Sequence, residues 1–110
     1  MSFKISASAR FDKELKRLTK KYSSLKQEYA SLIKSLEVNP IYGTPIKHHC
    51  YKIRVAIASK GKGKRSGARV ITYVHVKGEV VYLLTIFDKS EVENISDKEL
   101  QELLDEIEDL

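Results

Sequence analysis

Lys52, Arg54, Lys60, Lys62, Lys64, Arg65 and Arg69 crowd into one stretch of the chain, with no carboxylate among them. The acid-free run is wider still, because no Asp or Glu occurs between Glu37 and Glu79. Folded surfaces usually mix both signs, since like charges held close repel. Uncompensated cations around a glycine-punctuated loop, KGKGKRSG, describe a surface suited to a polyanion, and RNA or DNA phosphate is the first candidate.

The net charge of +5 hides an asymmetry. From Val38 to Gly78 there are nine Lys or Arg and no acid, whereas from Glu91 to Leu110 there are nine acids against the single base Lys98. A basic body thus carries an acidic tail, which must either avoid the basic surface or cover it. The 110 residues suit a single domain, 1–110, with one core. No apolar run is long enough to span a membrane, and the N-terminus lacks the apolar stretch of a secretion signal. A cytoplasmic protein is expected. Cys50 has no second cysteine for a disulfide or a Cys-based zinc site, and reads as a small buried side chain. His48-His49 raises a metal or acid–base reading, against a plain loop or core role.

The elements that would position the cations follow from periodicity. Phe3, Ile5 and Ala7 alternate with polar residues as in a half-buried strand. Phe11, Leu15, Leu18 and Tyr22 mark one face of a helix, and Leu25, Tyr29, Leu32, Ile33 and Leu36 mark a second. Ser24 with Gln27 matches a capping box for that second helix, and Asn39-Pro40 ends it. The short connection makes the two an antiparallel hairpin. Ile53, Val55 and Ile57 then alternate so that Lys52 and Arg54 share one strand face. Strands are expected over residues 68–76 and 80–87, joined by a two-residue turn at Lys77-Gly78. Ser96 and Glu99 form a further capping box, with Ile95 and Leu100 spaced as a hydrophobic staple. A last helix follows, with Leu100, Leu103, Leu104, Ile107 and Leu110 in one stripe.

The order β-α-α-β-β-β-α predicts an α+β fold: a mainly antiparallel sheet of about four strands, an N-terminal helical hairpin packed on one face, and a C-terminal helix. The other sheet face is then free to carry the charges.

Three segments resemble the RelE/ParE superfamily of toxins from bacterial toxin–antitoxin pairs, most of all its HigB- and RelE-like members. YKIR (Tyr51 to Arg54) is similar to the family's second strand, GARVITY (Gly67 to Tyr73) to its third, and LLTIFDKSE (Leu83 to Glu91) to the end of its fourth. The intervening KGKGKRSG resembles the glycine-basic loop of HigB-like members. The resemblance implies an endoribonuclease that cleaves messenger RNA, commonly on the ribosome, by attack of a 2′-hydroxyl on the neighbouring phosphate. It implies no cofactor and no metal. It also implies a cognate antitoxin, typically a small helix-turn-helix DNA-binding protein.

Such chemistry needs a base for the 2′-hydroxyl, cations around the phosphorane and a proton for the leaving oxygen. Arginine stays protonated, so Arg54 and Arg69 suit electrostatic clamping, with Lys52, Lys64 and Lys89 as further catalytic candidates. A lysine serves as base only where burial or neighbouring cations lower its pKa. Lys60, Lys62 and Arg65 are expected to bind RNA. Phe87 stands where many ribonuclease members carry tyrosine; it can stack on a base but donates no proton. Tyr73, Tyr82 and Lys89 are the possible substitutes. An uninterrupted two-residue turn pairs Arg69 with Ile86 and points Phe87 away from the arginine's face, and a bulge would reverse this.

Other readings compete. Arg54 and Arg69 could pair with acids of the last helix and merely hold it down, and the basic loop could be a solvated connection. The acidic helix could be a plain amphipathic face, a mimic of RNA charge or an antitoxin contact. At the level of function, the alternatives are a ParE-like inhibitor of DNA gyrase, which Phe87 favours, and a degenerate toxin that only binds RNA or antitoxin.

Overall fold

The computed structural model describes residues 2–60 and 67–107. Strand β1 (Lys4–Ala7) leads into helix α1 (Ala9–Lys21), whose first turn is capped by Ser8: its hydroxyl accepts from the Phe11 amide at 3.1 Å. Helix α2 (Leu25–Val38) returns alongside it. The capping box expected at its start does not form. Ser24 has helical backbone angles and its hydroxyl bonds Glu28 and Ser59 instead, tying α2 to the short 3₁₀ turn Ala58–Lys60.

The sheet has five strands in the order β1-β5-β4-β3-β2. Four were expected; the fifth is β2 (Thr44–Pro45), a two-residue edge paired with Tyr51 and Lys52 of β3 (Cys50–Val55). So short a strand leaves no periodic trace. Ile57, expected within β3, lies beyond its end but is fully buried. β3, β4 (Ala68–His75) and β5 (Val80–Asp88) pair antiparallel, while β1 joins β5 in parallel. The link from β4 to β5 spans residues 76–79 rather than two, closed by the Glu79 amide on the Val76 carbonyl at 3.1 Å, with Glu79 at φ 54°.

Two apolar layers sandwich this sheet. On one face Phe11, Leu18, Leu25, Leu32 and Leu36 of the helical hairpin pack on Ile53, Val55, Val70, Val81, Leu83 and Ile86. The second face is not left free. Helix α3 (Asp97–Asp105) lies there, with Leu100, Leu103 and Leu104 against Cys50, Ile71, Leu84 and Phe87. Its start carries the expected capping box, Ser96 and Glu99 each bonding the other's backbone amide. Exposed ion pairs hold both ends: Lys47 to Asp97 at 2.6 Å, and Arg10 of α1 to Glu106 at 2.6 Å. Pairs so exposed contribute about 0–1 kcal/mol, whereas each buried leucine contributes about 2 kcal/mol. The apolar contact therefore decides where α3 rests.

Candidate functional site

Adjacent strands bring the arginines together. Arg54 of β3 stands directly opposite Arg69 of β4, and Arg69 directly opposite Phe87 of β5, so the three share one sheet face in a single row. Lys52 lies on the same face two residues back along β3, about 6.5 Å from Arg54 at the usual strand rise. The alternation read from Ile53, Val55 and Ile57 thus does place Lys52 and Arg54 together.

The two guanidiniums differ in setting. Arg54 is exposed, whereas Arg69 is only 5% exposed and donates to the Ala68 carbonyl at 3.1 Å. Burial, and then the charge of Arg54, pull the Arg69 pKa below the ordinary arginine value. Like charges directly opposite one another destabilise a sheet. A phosphate placed over the row would relieve that repulsion and accept from both forks. The exposed ion pairs at the two ends of α3 run to Arg10 and Lys47.

Phe87 reaches the arginine's face because of a bulge. Near the turn Thr72 pairs with Leu83, but Ile71 pairs with Thr85, so Leu84 is the extra residue and every later side chain changes face. Phe87 is 8% exposed and packs in the layer beneath α3 with Leu100 and Leu103. That is a core position, covered by α3, rather than one open to stack on a base as the RNA-binding reading of Phe87 requires.

Lys52 donates to the Asn94 side chain at 3.3 Å, so the segment after β5 passes over this face. Lys89 is half-buried; its ammonium donates to the Glu93 carbonyl and its backbone amide to Gly67 at 3.0 Å. Lys60 departs from its expected RNA-facing position. Its ammonium bonds Asp88 at 2.8 Å and lies 5.2 Å from the Tyr22 ring centre, on the hairpin side of the sheet. Lys62, Lys64 and Arg65 lie outside the described residues.

Tyr73 and Tyr82, the possible substitutes for the missing tyrosine, pair with each other on the same face as Arg69. Four residues separate Tyr73 from Arg69 along β4, about 13 Å between their backbones. Cys50 is fully buried, and burial pushes its thiol up to about 12, so it is no nucleophile at neutral pH. His48 and His49 are exposed, at φ 62° and 61°, in the bend before β3. Among the described residues no group of three or more His, Cys, Asp or Glu is arranged to hold a metal ion.

Asp88 escapes sequence reasoning. It is fully buried and accepts from the Tyr22 hydroxyl at 2.5 Å, from Lys60, and from the Ser90 amide at 2.9 Å and hydroxyl at 2.7 Å. Burial alone would raise its pKa, but the hydrogen bonds from Lys60, Tyr22 and Ser90 outweigh it and hold the carboxyl well below the ordinary range. Its one sequence signal is an acid closing an otherwise apolar strand.

A family model described as the RelE toxin of the RelE/RelB toxin–antitoxin system matches residues 8–107. Among solved structures, a double mutant of the E. coli toxin RelE in the free state aligns with a TM-score of 0.65 at 16% identity, over 97% of this chain and 99% of that one. The isolated E. coli RelE toxin aligns at 0.59 and 21% identity, over 96% and 99%. The toxin–antitoxin complex RelBE of E. coli gives 0.57 at 21% identity, over 79% and 96%. At such identities these likenesses speak to the fold, and they match the helix and strand order seen here.

Proposed function

The chain belongs to the RelE toxin family, and on that premise we propose that it is an endoribonuclease that cleaves messenger RNA, acting on the ribosome, with its toxicity restrained by a cognate antitoxin. The observation that carries the reading is the cross-strand pair of Arg54 and Arg69, one exposed and one buried, on a single sheet face. In this reading both guanidiniums clamp the scissile phosphate and stabilise the charge that builds on it as the 2′-hydroxyl attacks. Lys52 or Lys64 takes the hydroxyl proton, and Lys89 serves the leaving oxygen. Lys62 and Arg65 bind the RNA backbone. No metal takes part. The antitoxin is a small helix-turn-helix DNA-binding protein.

A direct test adds the purified protein to ribosomes programmed with a defined message and maps the ends produced. Cleavage leaving a cyclic phosphate and a 5′-hydroxyl, lost in Arg69→Ala, supports the assignment. Equal cleavage by wild type and Arg69→Ala would remove Arg69 from the chemistry and overturn the paired-clamp assignment.

One observation favours a second reading. Phe87 has no hydroxyl and is buried beneath α3, so the row holds no tyrosine to donate a proton. A toxin that only binds RNA or antitoxin, or a ParE-like inhibitor of gyrase, would need none. Salt-sensitive RNA binding without cut ends points to the former, and loss of gyrase supercoiling activity to the latter.

A further inference from the structure

We infer that Asp88 is a positioning residue for the cationic site: a buried carboxylate that ties Lys60, at the start of the glycine-basic stretch, to the strand carrying Phe87 and Lys89. This rests on the RNA-directed reading above and adds a residue to it. Alternation excludes a direct catalytic role. Asp88 pairs with Ala68, one residue along from Arg69, and so points to the opposite face, towards Tyr22 at the end of α1.

The connections converge on this side chain and on the backbone of its neighbour Lys89. Lys60, the last described residue before the loop, donates to Asp88 Oδ1 at 2.8 Å. Gly67, the first described residue after it, accepts from the amide of Lys89, the residue next to Asp88. Tyr22 supplies a hydroxyl from α1, and its ring lies 5.2 Å from the Lys60 ammonium. Ser90 fills the remaining acceptor sites from the segment that leads towards Lys52 and α3. Asp88 thereby joins α1, the 3₁₀ turn, β5 and the strand-exit segment at the root of the loop.

Net stability over an apolar replacement does not by itself explain an ionised carboxylate here. Buried ion pairs can often be replaced by apolar residues of similar volume without loss, so a Lys–Asp tie offers little there that leucine or methionine would not. What it offers is directionality, because hydrogen bonds from named donors fix where the chain leaves the fold at Lys60. The tie also places the Lys60 charge inside the fold.

The experiment is Asp88→Asn, which keeps shape and removes charge. Binding of a single-stranded RNA oligonucleotide and cleavage on programmed ribosomes are measured at fixed salt. Displacing catalytic groups by about 1 Å costs up to ~100-fold, so both quantities are expected to fall by about tenfold or more. If Lys60 instead contacted RNA itself, freeing it would tighten binding; unchanged or tighter binding overturns the inference. The double variant Lys60→Met/Asp88→Leu provides a check should Asp88→Asn fold poorly. It is expected to keep the wild-type far-UV dichroism yet bind RNA weakly, and wild-type binding in a well-folded double variant also overturns the inference. Absence of cleavage by the wild type would count against the proposed function alone. In that case hydrogen exchange at the Lys60 and Lys89 amides decides: faster exchange in Asp88→Asn, with α3 unchanged, supports the tie, and no change refutes it.

Discussion

Arg69 stands directly opposite Phe87, although the register set at the β4–β5 turn would have paired it with Ile86. Leu84 makes the difference. It is the additional residue of the bulge and is fully buried, so the switch is anchored by apolar packing. The aromatic that closes the arginine row is thereby also the floor on which α3 rests.

Arg69→Ala is expected to reduce RNA cleavage by about 100-fold or more, the scale seen when a preorganised transition-state donor is removed. The fold should be retained, because the Arg69 side chain belongs to neither apolar layer. Arg69→Lys should restore little, since a point charge cannot reproduce the planar fork. Thermal melts beside end-mapped cleavage on ribosomes separate the two effects.

Phe87→Ala is expected to act on stability first. At 8% exposed and packed with Leu100 and Leu103, its truncation should cost about 3–5 kcal/mol, whereas loss of an exposed stacking platform would cost the fold almost nothing. Urea denaturation followed by far-UV dichroism provides the measurement.

Gly67→Ala should damage the site through the backbone. A Cβ there would lie 2.1 Å from the Val55 carbonyl oxygen, at the end of the β3–β4 ladder that holds Arg54 against Arg69. The strands must part locally, at about 1–3 kcal/mol. Amide exchange in the Ile53–Val55 stretch should quicken and RNA affinity should drop; a protected ladder with normal affinity would contradict this.

Acid should loosen the molecule through Asp88. Its folded-state pKa lies below the ordinary value of 3.8, so its stabilisation is present above that pH and is lost as pH falls below it. Glu91, held down first by its hydrogen bond from Arg17, acts in the same direction. Melting temperatures between about pH 5 and pH 2 should fall steeply for wild type and less steeply for Asp88→Asn.

Much of this architecture is legible in the residue pattern, because the helical hairpin, the last helix and the three longer strands each bury a periodic face. The row of Lys52, Arg54 and Arg69 follows from strand alternation and so is legible too. Other features have no local cause. β2 is only two residues long, and β1 finds its partner in a strand far along the chain. The Ser24–Gln27 pattern is outcompeted by Glu28 and Ser59, which reach the same hydroxyl through tertiary contacts. Lys60 reads as one more loop cation until Asp88 and Tyr22 are placed beside it. Burial of Phe87 depends on where α3 comes to rest, and the composition of that acidic segment leaves open whether it covers the sheet.

The parallel pairing of Lys4–Ala7 with Val80–Leu83 carries a consequence for biosynthesis. Among the described residues, strand β1 finds its only strand neighbour in β5, which is made much later along the chain. A nascent polypeptide stopped before Val80 also lacks Phe87 and Asp88, so the arginine row has no third member and the loop no tether. Long-range closure of this kind slows folding. Completion of the sheet is therefore set late by the order of the strands.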